Sequence, residues 1–176
     1  MNQRNHVRFV APIVISTALL WATGPIAGAS SDEEATTHCY VEVIGETKAG
    51  EYLLSDEECF AEFDDAMSAI GLGDGITSKA EAESAAAALS STIGIHYDGA
   101  GFTGSSFSVS GVNCLGGYIN MSAGWNDRVS STLSGFCGRI RHWTGANKTG
   151  SFQDTLPNGN LSAPVNNNVS SIQYLN

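Results

Sequence analysis

Basic residues are scarce in this chain. Its 176 residues carry 8 Lys and Arg against 18 Asp and Glu, for a net charge of −10 and a pI near 4.6. A protein that tracks a phosphate backbone concentrates Lys and Arg, so nucleic acid is excluded as the default partner. Charged residues of both signs reach only 15% while hydrophobic residues reach 42%, which excludes a disordered chain, a collagen and a coiled coil and leaves enough apolar content for one or two small globular domains. No long apolar run is present: Phe9 to Ala22 falls short of the roughly 20 residues that span a bilayer. Gly-x-Ser-x-Gly, His-Glu-x-x-His and phosphate-loop signatures are all missing. No cysteine pair has the close Cys-x-x-Cys spacing of a zinc site. The expectation is a non-enzymatic protein. Glycine, by contrast, occurs 20 times among many Ser, Thr and Asn, a texture of turns and strands.

The charge divides the chain into three parts. Residues 1–30 carry +2, residues 31–92 carry −13 and residues 93–176 carry +1. The first part opens on a basic Met1 to Arg8, continues through the apolar run and ends in Ala27-Gly28-Ala29. That is the layout of a secretory signal peptide over residues 1–29, cleaved before Ser30, so a secreted, extracellular protein with no membrane attachment after cleavage is expected. Export favours oxidised cysteines over a metal site. Four cysteines allow three pairings; Cys39 with Cys59 and Cys114 with Cys137 keep each bridge within one charge segment.

In the acidic part, Cys39 to Ile44 alternates apolar and polar residues as a short strand, with Tyr52-Leu53-Leu54 as its partner. Ser55 to Glu58 has capping-box spacing, and Cys59, Phe63, Ala66, Met67 and Ile70 share one face of the helix that should follow, ending at Gly71. Residues 30–76 are therefore expected to form a small acidic α+β segment, held by its disulfide because it is too small to bury much. Residues 77–92 should be an Ala-rich helical linker. The paired acids Glu57/Glu58 and Asp64/Asp65 are neighbours that do not share a helical face, and read as solvated surface.

From residue 93 the chain repeats itself. His96-Tyr97-Asp98-Gly99-Ala100-Gly101-Phe102-Thr103-Gly104 matches His142-Trp143-Thr144-Gly145-Ala146-Asn147-Lys148-Thr149-Gly150 at a spacing of 46, and Asn126 to Ser131 matches Asn166 to Ser171 at a spacing of 40. Neither unit can bury its apolar face alone, so the two should share a core. Short apolar stretches at Ile93–Ile95, Phe107–Val109, Tyr118–Ile119 and Ser131–Phe136 suggest four strands, a Greek key, in the first unit. Ile140–Trp143, Ser151–Phe152, Leu161 and Ser171–Leu175 supply the second. His96 and His142 hold equivalent repeat positions, which points to a structural role, because catalytic sites are seldom duplicated in a small repeat. Trp125 and Trp143 offer surfaces for a sugar, but aromatics beside such corners more often pack in the core.

These residues resemble the βγ-crystallin domain, built of two Greek keys that each carry an aromatic-glycine corner and an Asn/Asp-rich loop ending in Ser/Thr-Ser. Tyr97, Phe102 and Gly104 fit the first corner; Trp143 and Gly150 fit the second, where Lys148 stands in the inner aromatic place. Both loops fit throughout. The resemblance implies a mainly β fold, two Greek-key motifs forming a βγ-crystallin-type sandwich over residues 93–176, preceded by the acidic segment. It also implies calcium in the loops, whose hard oxygen donors suit that ion. Asp127 with Ser130 and Asn167 with Ser170 are the implied side-chain ligands, carbonyls near Arg128 and Asn168 and from the opposite corner complete each shell, and Asn126 and Asn166 shape the loops. With one carboxylate in two loops and Arg128 beside it, binding is expected at about 10⁻⁴–10⁻³ M. Secreted bacterial proteins of similar pattern include metalloproteinase inhibitors and antifungal or killer-toxin proteins. The implied partner is thus an extracellular peptidase, or a cell-wall glycan, or none if the domain is a purely structural calcium module.

Overall fold

The structure is a computed structural model that describes residues 35–69, 91–111 and 113–176. The expected signal peptide, the Gly71–Gly75 linker and the Ala-rich helix lie outside the described residues. Among these, no helix is long and apolar enough to cross a membrane.

The first repeat unit forms β4 (Thr92–Gly99), β5 (Thr103–Ser110), β6 (Leu115–Asn120) and β7 (Ser131–Ser134). The second forms β8 (Arg139–Gly145), β9 (Thr149–Thr155), β10 (Gly159–Asn160) and β11 (Ser171–Leu175). One sheet contains the order β10-β7-β4-β5 and the other the order β6-β11-β8-β9. Each unit therefore keeps its first, second and fourth strands together and sends its third into its partner's sheet. This is a pair of Greek keys with exchanged third strands, a βγ-crystallin-like arrangement. Between the sheets lie Ile93, Phe107, Val109, Ile119, Ile140, Ile172 and Tyr174, each 2% exposed or less.

The acidic segment is woven into this sandwich. Its strand β1 (His38–Glu46) pairs in parallel with β5, from His38 opposite Ser106 to Glu42 opposite Ser110, and so extends the first sheet. Strand β2 (Tyr52–Leu54) turns back on β1 as the alternation suggested. The tip of this hairpin reaches the second sheet: Tyr118 N donates to Gly50 O at 3.0 Å, and Asn120 Nδ2 donates to Glu51 Oε1 at 2.7 Å. The outer face of the first sheet carries Ile95, Tyr97 and Leu133, because a register shift between Thr92 and Gly94 turns these side chains away from Ile93. Ala66 and Met67 of the helix α1 (Phe63–Ala69), with Phe60 and Phe63, cover that face. A segment expected to bury little thus supplies a second small core, and the composition change near residue 92 is not a boundary of the sheet.

The helix expected from Ser55 to Ile70 is shorter. Residues Glu58–Phe60 form strand β3 against β1, with Cys59 directly opposite Cys39, and helix begins only at Phe63. Ser55 does not cap a helix: its hydroxyl accepts from Glu42 N at 3.0 Å and donates to Asp56 O at 3.0 Å, tying the residue to β1. Disulfides join Cys39 to Cys59 and Cys114 to Cys137, as the charge segments suggested, and no cysteine is free.

Candidate functional site

Each corner and its loop lock together through one serine. Ser131 Oγ donates to Gly99 O at 2.6 Å and accepts from Phe102 N at 2.9 Å; Ser171 Oγ donates to Gly145 O at 2.7 Å and accepts from Lys148 N at 3.0 Å. The corners end on Gly104 and Gly150 at φ of 77° and 81°, a region where a Cβ is strained, which explains why glycine recurs there. In the second corner Lys148 replaces the ring seen at Phe102. Its ammonium lies 4.4 Å from the centroid of Tyr118, so a ring from the other key supplies the aromatic partner.

The two Asn/Asp loops are related by a local two-fold. Asp127 N donates to Val169 O and Asn167 N to Val129 O, both at 3.0 Å, and both residues have left-handed backbones with φ of 60° and 53°. Asn and Asp tolerate that conformation better than other side chains. Ser130 N is held by Tyr97 O at 2.7 Å and Ser170 N by Trp143 O at 2.9 Å, so each loop is anchored to its own corner while its tip is bonded to the opposite loop.

This crossing also brings side chains of the two loops together. Ser130 Oγ donates to Asn167 Oδ1 at 2.6 Å, a contact between one implied ligand of each loop. The reason is the exchange of third strands: each loop runs from a third strand in one sheet to a fourth strand in the other, so both loops cross between the sheets and their tips meet. Asp127 is exposed and its Oδ2 accepts from Asn126 Nδ2 at 2.8 Å, a loop-shaping contact for Asn126. Asn168 Nδ2 donates to Pro164 O at 3.1 Å, and Asn166 is exposed. The Arg128 guanidinium is drawn aside to Asp98 at 2.6 Å and Gly124 O at 2.9 Å, over the Trp125 ring. Its charge is thus neutralised rather than left beside the loop.

The oxygens of Asp127, Ser130, Asn167 and Ser170 are all hard donors, with neither sulfur nor imidazole among them, and this donor set fits calcium. A grouping of Cys39, Glu57 and Cys59 does not fit a metal, because its two sulfurs are bonded to each other and no thiolate is available.

Of the aromatics, Trp125 is buried against Phe107 at 5.6 Å, as expected. Trp143 instead lies on the outer face of the second sheet against Phe152, ring centroids 4.8 Å apart, with Phe152 49% exposed. The Arg141 guanidinium sits 4.1 Å above Phe152 and grips Asp154 with two bonds of 2.7 and 3.0 Å, which holds the Asp154 carboxyl below the usual range. The sequence did not reveal this cluster; its signal was Trp143 and Phe152 falling on the non-core parity of β8 and β9.

No protein-family model and no curated protein matches the chain. Among solved structures, it is similar to the calcium-bound βγ-crystallin domain of an abundant perithecial protein from Neurospora crassa. The identity is 18%, over 49% of this chain and 91% of that one, with a TM-score of 0.40. It is also similar to a double mutant of a βγ-crystallin domain from Clostridium beijerinckii, with 20% identity, 47% and 96% coverage and a TM-score of 0.39. A third such domain, from Flavobacterium johnsoniae, has 24% identity, 46% and 91% coverage and a TM-score of 0.36.

Proposed function

We propose that the protein is an extracellular, non-enzymatic βγ-crystallin-like module that binds calcium weakly across its two Greek keys. The observation that carries this reading is the meeting of the Ser130 hydroxyl with the Asn167 side-chain oxygen, one from each key, at 2.6 Å. Oxygens drawn from both keys converge only in the folded chain, so an ion held there stabilises the native state by mass action. At tenfold over Kd that amounts to about 1.4 kcal/mol. Asp127, Ser130, Asn167 and Ser170 would hold the ion, which supplies charge to bind the loops together and no reaction chemistry. Two disulfides favour an oxidising, extracellular setting. Both repeat histidines are fully buried, away from any substrate, which supports the non-enzymatic reading.

Thermal melts in millimolar calcium and in chelator test the proposal. Wild type should gain several degrees in calcium, and Asp127→Ala should lose most of the gain because it deletes the loops' carboxylate. Identical melts in the two solutions would sink the calcium reading.

A glycan-binding role has one observation in its favour. The Trp143–Phe152 pair presents an exposed aromatic surface with Arg141 and Asp154 at its rim, the combination of apolar face and hydrogen-bonding groups that sugars engage. Retention on chitin or glucan, lost in Phe152→Ala, would support it; stoichiometric titration of an extracellular metallopeptidase would favour the inhibitor role instead.

A further inference from the structure

Four polar side chains replace apolar packing at the centre of the sandwich. His96 on β4 and Thr132 on β7 belong to the first key, His142 on β8 and Tyr174 on β11 to the second, and all four are 0% exposed. They are linked in series. The Tyr174 hydroxyl lies 3.0 Å from His96 Nε2, His96 Nδ1 lies 3.0 Å from Thr132 Oγ1, and Thr132 Oγ1 lies 2.7 Å from His142 Nε2. The two imidazoles meet edge to face at 5.8 Å.

Counting protons gives the series a direction. Thr132 has one hydrogen and stands between two imidazole nitrogens, so it donates to one and accepts from the other. Tyr174 donates its hydrogen to His96, which makes His96 Nε2 bare and places the His96 proton on Nδ1. Thr132 accepts that proton's bond and gives its own hydrogen to a bare His142 Nε2. The His142 proton then sits on Nδ1, which has no partner at full hydrogen-bond geometry, although the Gln153 backbone lies near enough to favour a proton there. The opposite direction would strand the Tyr174 hydrogen in a buried site, at the cost of an unmade bond.

The two bare nitrogens both lie in bonds that cross between the keys, while the His96–Thr132 bond stays within the first sheet. We propose that the series is an acid-sensitive latch joining the two Greek keys: each histidine can gain a proton only at the nitrogen that accepts an inter-key hydrogen bond, so protonation opens the latch.

The surroundings offer an incoming charge little relief. His96 faces the Phe107 ring of β5 at 6.4 Å and His142 of β8, and Tyr174 is backed by the neutral Tyr52 of β2 at 6.2 Å. Asp154 on β9 favours a charged His142, but its carboxylate is already engaged by Arg141, with Arg139 at 3.9 Å. Burial lowers His142 to about 4, and burial with the neighbouring imidazole holds His96 well below the ordinary value.

Long-range proton–nitrogen NMR on the intact, oxidised protein at neutral pH reads both tautomers directly. The expected result is a proton on Nδ1 and a bare Nε2 in both rings, with both rings neutral in the folded protein until well below the ordinary titration range. Urea unfolding followed as the pH falls should show the unfolding constant rising tenfold per pH unit for each histidine. His96→Gln and His142→Gln should each remove one such tenfold step. A proton on Nε2 of either ring at neutral pH, or either ring titrating at its ordinary pKa while folded, overturns the latch. The tautomer measurement needs no variant, so it decides the matter even where a substitution prevents folding.

Discussion

Replacing Tyr52 with Ala asks whether the acidic segment is part of the sandwich or an appendage to it. Tyr52 is 5% exposed, stacks on Tyr174 at 6.2 Å and donates its hydroxyl to Asn113 Oδ1 at 3.0 Å. Truncating a buried aromatic to Ala costs about 3–5 kcal/mol. The hydroxyl accounts for about 1 kcal/mol of that, a share that Tyr52→Phe isolates. In a domain of this size each kcal/mol moves Tm by roughly 2–4 °C, so the Ala variant should melt roughly 10 °C low. Gly117 supplies the complementary change. The three atoms nearest to a Cβ added there all belong to Tyr52 and would overlap it, so Gly117→Ala alone should cost about 1–3 kcal/mol through overpacking. With the ring removed, the same methyl enters vacated space and should be nearly neutral. Urea denaturation of both single variants and the double variant closes the cycle, with a coupling of at least about 1 kcal/mol expected. Simple additivity, or a Tyr52→Ala melt that matches wild type, would show that the hairpin does not pack on the second sheet and would refute the reasoning.

Ser130→Ala and Asn167→Ala should each lower the calcium-induced rise in Tm, and their effects should not add, since both act on one cross-key contact; full additivity in paired melts would place them at separate ions. Stability should fall on acidification: His142 drops from 6.5 to about 4 on folding, so the unfolded chain binds more protons between those values. The stabilisation is complete above the unfolded pKa and lost as pH falls towards the folded one, about 3 kcal/mol in all; chemical denaturation at several pH values measures it, and a flat profile between neutrality and pH about 4 would contradict it. Replacing Cys114 and Cys137 with Ser opens a loop of 23 residues and should cost roughly 3 kcal/mol in the chain-entropy account, read as a lower urea midpoint under non-reducing conditions.

The repeat made the double Greek key legible, because corner and loop recur in the same order and each contains residues whose backbone duty is local. Glycine at 104 and 150 serves a left-handed turn within its own corner, and serine at 131 and 171 ties each loop back to the corner of the same unit, so the pattern recurs within each repeat. The exchange of β6 and β10 left no such mark, since nothing in Leu115–Asn120 distinguishes a strand of its own sheet from one of the other. For the same reason the contact between Ser130 and Asn167 could not be read from either loop alone. The helical periodicity from Cys59 to Ile70 misled because Cys59 and Phe60 serve β3, where pairing with β1 and a disulfide outweigh the helical pattern. Ile93 and Ile95 would share one face of a regular strand, and only the bulge at Thr92–Gly94 explains why Ile95, with Tyr97, lies on the face that the helix covers.

The exchanged strands also constrain how the chain can acquire its structure. The second sheet places β11 between β6 and β8, so those two strands are joined within that sheet only once β11 has docked. The first sheet likewise lacks its β10 edge until the second key has been made. Neither key can therefore serve as a finished template for the other, and a half-formed molecule leaves open sheet edges on both sides. Pairings of this kind close long loops before any contact rewards them, which slows folding and concentrates it into one cooperative step. A late step of that kind would keep the unpaired edges of β6 and β8 open to other chains until β11 docks between them.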